Sequence, residues 1–337
     1  MIEANPSHTP LASTASPADP HVLGVDLGGT HLRLALARTS GELRARHTVS
    51  TVGIRDPHRI VALIVEGAAT LLSQLNLPRA SLRSVAVGAP GVTDVDRGIV
   101  IATSYLLGWR NVPLQALLEA ALGIPATVDN DVNVATLAES WAGAAQHTPD
   151  FAFLAVGTGI GAGIFLRGEL LRGSGWLAGE IGYMLVPGVS EAPAADNAPG
   201  ALESIAGGHA IHSRWQALVA SSAVPLPPDL TATEIFELAG TGQPLAVAVL
   251  AETARVLAAA VYNICLVINV PMVVFGGGVG VHPVLLTAIR ARLRDHHAHA
   301  STRLVPSALG ADAQLLGAIR LAITLLARPG TPAESSS

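Results

Sequence analysis

Two stretches of this chain share one plan, and that plan constrains the fold more than any other feature. Residues 22–37, VLGVDLGGTHLRLALA, run as apolar strand, acid, Gly-Gly-Thr turn and alternating apolar strand. Residues 151–171, FAFLAVGTGIGAGIFLRGELL, run as strand, Gly-Thr-Gly turn and strand, with a further hairpin at Arg167-Gly168. Short apolar runs bounded by glycine read as strands joined by hairpins. A glycine turn of this kind has two readings. It is a tight turn that needs positive φ. Alternatively, its backbone N–H groups and threonine hydroxyl cradle an anion, while a carboxylate such as Asp26 holds a hydrated cation. One turn alone leaves both open.

The remaining elements repeat the plan. In the first half, strands are predicted over 22–26, 31–37 and 42–51. A helix follows Pro57, with apolar Ile60, Leu63, Ile64, Ala68 and Leu71. Then come a strand at 84–88, a helix near 112–122, a strand at 126–128 and a helix from Asp131. In the second half, the hairpin strands precede a long helix over 245–267, a strand at 273–275, a helix from His282, a strand at 303–305 and a helix over 312–326. Two such halves predict an internally duplicated α/β protein whose lobes face one cleft.

Composition narrows the chemistry. The chain has 337 residues, a size for about two domains, and its net charge is −5, which argues against a nucleic-acid surface. One cysteine, Cys265, excludes a disulfide framework and a cysteine-based zinc site. All 20 basic residues are arginine. Without lysine there is no P-loop and no Schiff-base chemistry. A phosphate cradle here must use backbone N–H groups, hydroxyls and arginine. Residues 1–20 and 328–337 read as disordered tails. The apolar run 256–275 contains Asn263, Asn269 and Pro271, so it reads as a buried helix and strand rather than a membrane span.

Three constellations carry chemistry. The first is the pair of glycine–threonine turns, joined by a third run, Gly276-Gly277-Gly278, between a strand and a helix. Together they could grip a nucleoside triphosphate from both sides. The second is Val128-Asp129-Asn130-Asp131-Val132-Asn133, which crowds polar side chains at a strand-to-helix junction. Capping needs one of them. A carboxylate at a strand's C-terminal end is also well placed as a general base. The third is Gly179-Glu180 with Glu203, candidates for binding hydroxyl groups or plain loop acids. His296, His297 and His299 read as a solvated helix end rather than a metal site.

In order, the motifs VDLGGTHLR, VGAPGV, VDNDVN, VGTGIGAG, GEIGY, LESIAGG, VFGGGV and LGADAQLLGA resemble the ROK family of sugar kinases and sugar-responsive repressors. The resemblance spans residues 22–326. It implies a two-lobed actin/hexokinase-like (ribonuclease H-like) fold, with duplicated βββαβαβα halves around a central cleft. The implied lobes are 21–133, with the C-terminal helix 312–327 packing back on it, and 134–311. The resemblance assigns Asp131 as catalytic base toward a sugar's primary hydroxyl. It assigns Gly91, Asn130, Glu180, Glu203 and Tyr183 to the sugar. Asp26, Gly28, Gly29 and Thr30 then form the first phosphate loop with its Mg²⁺ partner, Thr158 and Gly159 the second, and Gly277 the adenosine side.

The sequence departs from the family in one segment. A histidine and three cysteines that bind structural zinc in the family are here Tyr183, Ala194, Asp196 and Ala201. All four are absent together, so no zinc is expected. Pro187, Pro193 and Pro199 offer another way to stiffen the loop. Tyr183 and the stretch 102–109 also put glucose specificity in question. The expectation is an ATP- and Mg²⁺-dependent kinase of a hexose or close analogue, cytoplasmic and homodimeric, with no membrane or nucleic-acid partner. A repressor of this family carries a helix-turn-helix before the sugar domain, whereas about twenty residues precede Val22. A non-catalytic sugar-binding relative is the third alternative.

Overall fold

β1 (His21–Leu27) and β2 (His31–Arg38) form the first hairpin, with Val25 opposite Leu34 and Asp26 opposite Arg33. Every residue of β1 is buried, His21 and Asp26 included, so the strand is covered on both faces. The computed structural model describes residues 19–103, 106, 108–189, 199–223, 225–294 and 302–327. β3 (Leu43–Ser50) continues the antiparallel ribbon. α1 (Pro57–Gln74) starts where Asp56 accepts the His58 N–H and proline occupies the first turn, and it buries the five predicted apolar positions. After β4 (Leu82–Ala89) come three short strands, β5 (Val92–Asp94), β6 (Ile99–Ala102) and β7 (Arg110–Val112), in a small antiparallel sheet. α2 (Leu114–Leu122), β8 (Ala126–Asn130) and α3 (Asp131–Ala142) complete the first half.

The second half repeats the path. β9 (Phe151–Val156), β10 (Ile160–Leu166) and β11 (Glu169–Leu171) are antiparallel. The helices α4 (Glu203–Ala206), α5 (Gly208–Ala220), α6 (Ala232–Gly240) and α7 (Pro244–Ile268) follow. β12 (Met272–Gly276), α8 (Gly277–Gly280), α9 (Pro283–Arg294), β13 (Arg303–Pro306) and α10 (Ala313–Ala327) end the fold. The sheet orders are β3-β2-β1-β4-β8 and β11-β10-β9-β12-β13. In both, the last three strands are parallel. The duplication inferred from two glycine–threonine turns is therefore a duplication of whole sheets.

α3 and α10 pack on each other between the sheets, α10 against β1 and β4 and α3 against β9 and β10. Their approach is closer than side chains allow. A Cβ on Gly317 of α10 would stand 1.7 Å from the Val134 carbonyl of α3, so only glycine fits. Ser84 of β4 donates to the Ala322 carbonyl at 2.9 Å, tying α10 to the first sheet. At the end of α3, the buried Glu139 accepts from the Ser307 hydroxyl and from the Ala144 N–H at 2.7 Å, joining α3 to the segment that leads into α10.

The structure adjusts some sequence expectations. Pro113 delays α2 to Leu114, Pro283 rather than His282 opens α9, and a single tight turn, Gly310–Asp312, precedes α10. Sequence periodicity missed β5–β7, which are too short to show a repeat. It also missed α5, which buries only Ile211 and Trp215. α7 is long and apolar enough to cross a membrane, but Val249, Leu257 and Val261 are buried in the core of the second half. The histidines 296, 297 and 299 and the segment 190–198 lie outside the described residues.

Candidate active site

Parallel strands end on the same side, so the turns that follow them converge. A cavity of about 540 Å³ opens there, between the two sheets. Gly28, Gly29, Gly91, Asn130, Asp131, Thr158, Gly159, Glu180, Tyr183, Glu203 and Gly277 all line it. Asp26 and Thr30, the remaining candidates, do not. A second cavity, of about 450 Å³, lies beside Cys265 and Arg290, and the described residues of its wall include no carboxylate.

The junction of β8 and α3 separates its acids and amides by role. Asn130 is the helix cap: its Oδ1 accepts the Val132 and Asn133 N–H groups at 2.8 and 3.1 Å. Its Nδ2 donates to the Gly91 carbonyl at 3.0 Å, leaving one N–H for a ligand. Gly91 is itself constrained, with φ at +93° and no room for a Cβ beside the Ala102 carbonyl. Asp129 is 1% exposed and ion-paired with Arg172. Among the described residues Asp131, unlike Asp129, has no salt-bridge partner, and its Oδ1 accepts the Val132 N–H at 2.8 Å. Burial pushes the Asp131 carboxyl up to about 7, and the negative charges of Asp26 and Glu180 add to the rise. A base is most effective when its pKa lies near the working pH.

The opposite wall carries a second acid pair. Glu180 follows Gly179, whose φ of +94° admits glycine alone beside the Ala162 carbonyl. Glu203 opens α4 and accepts the Ile160 N–H at 2.8 Å. Burial first, and the Glu203 charge second, raise the Glu180 pKa. Two acids held together in this way suit ligands that donate several hydrogen bonds. Asn133 adds a feature the sequence motif did not single out. It is 7% exposed, lines the cavity, and its Oδ1 has no hydrogen-bond partner among the described residues. A buried acceptor of this kind calls for a donor from a ligand or water. Arg110 and Trp176 also line the cavity and were not foreseen.

The glycine turns are built as matched open loops. Gly28 N–H bonds the His31 carbonyl and Gly157 N–H bonds the Gly159 carbonyl, each at 2.9 Å. Among the described residues, chain neighbours aside, no atom lies within 4 Å of where a Cβ on Gly157 or Gly278 would sit, so these backbones face open space. Gly277 has φ at +76° and passes 2.3 Å, at its would-be Cβ, from the Val156 carbonyl, which locks the third run against the second. Asp26 is held by Arg33, whose Nε and Nη2 reach Oδ2 at 2.6 and 2.5 Å while Nη1 reaches the Ala311 carbonyl at 2.6 Å. Burial raises the Asp26 pKa against the opposing pull of Arg33. Of the four positions that replace zinc ligands, Ala194 and Asp196 are outside the described residues. Tyr183 is 56% exposed in the cavity wall. Among the described residues no cluster of three or more His, Cys, Asp or Glu could hold a metal ion.

Comparisons with known proteins agree with this geometry. The chain is 30% identical over 314 residues to a glucokinase of Halalkalibacterium halodurans, covering 89% of this chain and 94% of that protein. It is 30% identical over 301 residues to an N-acetylmannosamine kinase of Escherichia fergusonii, covering 89% and 97%. Its fold matches the crystal structure of a ROK family glucokinase from Streptomyces griseus in complex with glucose and AMPPNP. That match has a TM-score of 0.76 and 26% identity, and it covers 90% of this chain and 99% of that one. The duplicated sheets, the glycine loops and the acidic cleft thus coincide with a match to the ROK family over residues 22–325, and the chain belongs to that family.

Proposed function

We propose that this protein is an ATP-dependent sugar kinase. It transfers the γ-phosphate to the primary hydroxyl of a hexose, either glucose or a close analogue such as an N-acetylhexosamine or a cyclitol. The observation that carries the reading is Asp131, a base with pKa about 7 in the one cavity wall shared with the glycine loops and the Glu180–Glu203 pair. In the reaction Asp131 accepts the hydroxyl proton, the hydroxyl oxygen bonds to the γ-phosphorus, and ADP leaves with the bridging oxygen. Asn130, Asn133, Glu180 and Glu203 take the remaining hydroxyls. The N–H groups of Gly29 and Gly159 and the Thr158 hydroxyl hold the phosphates, while Gly28 closes its turn through its N–H to the His31 carbonyl. With no lysine in the chain, that cradle depends on backbone donors.

Mg²⁺ would arrive with the nucleotide and neutralise phosphate charge. Asp26 would hold it through a coordinated water from outside the cavity wall, since among the described residues Arg33 engages Oδ2 and not Oδ1. We further read residues 21–133 with helix 312–327 as one lobe and 134–311 as the other, closing on the substrate to exclude water. The protein acts in the cytoplasm as a homodimer and carries no zinc. The decisive experiment is ADP release measured with MgATP against a panel of hexoses, N-acetylhexosamines, β-glucosides and cyclitols. Sugar-dependent turnover abolished by Asp131→Asn supports the proposal. Sugar binding with no turnover would point to a sensor or binding protein instead.

A further inference from the structure

Arg172 follows β11, 43 residues from the acid it binds. Its Nε and Nη2 reach Asp129 Oδ2 at 3.0 and 2.6 Å. The Asp129 side chain is 2% exposed and its other oxygen accepts the Asn130 N–H at 2.8 Å and Asn133 Nδ2 at 3.1 Å. Asp129 is therefore fully engaged and holds the two residues that cap and flank Asp131. The same arginine organises the facing wall. Its carbonyl accepts the Ala178 N–H at 3.2 Å, and the adjacent Gly179 carbonyl accepts the Ala162 N–H at 2.8 Å, which fixes the loop that ends at Glu180. β8 and β11 belong to different sheets, so this contact bridges the two halves at the cleft.

A buried ion pair contributes little net stability compared with an apolar pair of similar shape. What a guanidinium fork does supply is direction, since two donors in one plane allow a single approach to the carboxylate. We propose that Arg172 is a positioning residue for phosphoryl transfer, holding the strand end that presents Asn130 and Asp131 in register with the loop that presents Glu180. This inference rests on the kinase reading above.

The test uses the purified full chain with MgATP and the sugar panel, comparing wild type with Arg172→Met, Arg172→Lys and the double variant Asp129→Asn/Arg172→Met. Arg172→Met should lower kcat by roughly 10–100-fold, because misplacing reacting groups by about 1 Å costs on that order. KM for ATP should stay within about twofold, since the glycine loops are untouched. Arg172→Lys keeps the charge but not the fork, so it should recover the melting temperature and only part of kcat. The double variant removes the unpaired buried charge and keeps an acceptor for Asn130. It should regain the melting temperature while kcat stays low. Wild-type kcat in Arg172→Met, or its full return in the double variant, would overturn the inference and leave the kinase reading intact. No turnover by the wild type on any sugar of the panel would overturn both.

Discussion

Replacing Asp131 with asparagine should stop the enzyme and stabilise it at the same time. Burial, Asp26 and Glu180 lift the Asp131 pKa from 3.8 to about 7. Each pKa unit corresponds to about 1.4 kcal/mol, so keeping the ionised form in the folded protein would cost about 4 kcal/mol if the site were dry. Asp131 keeps partial access to the cleft. Solvent screening then reduces the cost to roughly 1–3 kcal/mol. The sign follows from linkage. The folded pKa lies above the unfolded one, so the stability tied to the protonated form is fully present below 3.8 and lost as pH rises through about 7. Asparagine keeps the shape and the acceptor for the Val132 N–H but never ionises. At pH 8 its melting temperature should exceed the wild type by roughly 2–6 °C. Near pH 4 the two should coincide. Turnover should fall about 10²–10⁴-fold, the usual loss for a general base. Differential scanning fluorimetry at both pH values and ADP release at pH 8 check this. Equal melting-temperature differences at both pH values would refute the burial argument, and half-retained turnover would remove Asp131 from its role.

Thr158→Val keeps side-chain size and removes a hydroxyl in the second glycine loop; isothermal titration should show ATP weakened more than sugar, and the reverse result would move that loop to the sugar. Gly317→Ala should destabilise the fold by about 1–3 kcal/mol or more, because its Cβ would meet the Val134 carbonyl at 1.7 Å between two backbones that cannot yield; a denaturation midpoint like the wild type's would contradict the packing of α3 on α10. EDTA should leave the nucleotide-free melting temperature unchanged yet stop catalysis, with Mg²⁺ alone restoring it; one zinc per chain by elemental analysis, with a melting point that falls on chelation, would overturn the zinc-free reading of the segment between Tyr183 and Ala201.

Local sequence carried the strands of the two large sheets, the glycine turns and the start of α3, because these follow from alternation, glycine spacing and a capping side chain within a few residues. It also showed that the two halves match, since the Gly-Thr turns repeat. The division of labour within Asp129-Asn130-Asp131 was not legible there. Three polar residues in a row look alike until their partners are known, and the partners lie far away: Gly91 for Asn130, and Arg172 on the other sheet for Asp129. Asp131 is distinguished by having no salt bridge among the described residues, and by its burial and two distant carboxylates, which raise its pKa. The unpartnered Asn133 oxygen has the same character, as does Gly317, an ordinary helix-interior glycine in the sequence and a backbone-to-backbone contact in the fold. Hydrogen bonds within a few residues depend on spacing, which the sequence displays directly. Charge pairing, desolvation and close packing depend on which distant segments meet, and only the packing of the two sheets around α3 and α10 determines that.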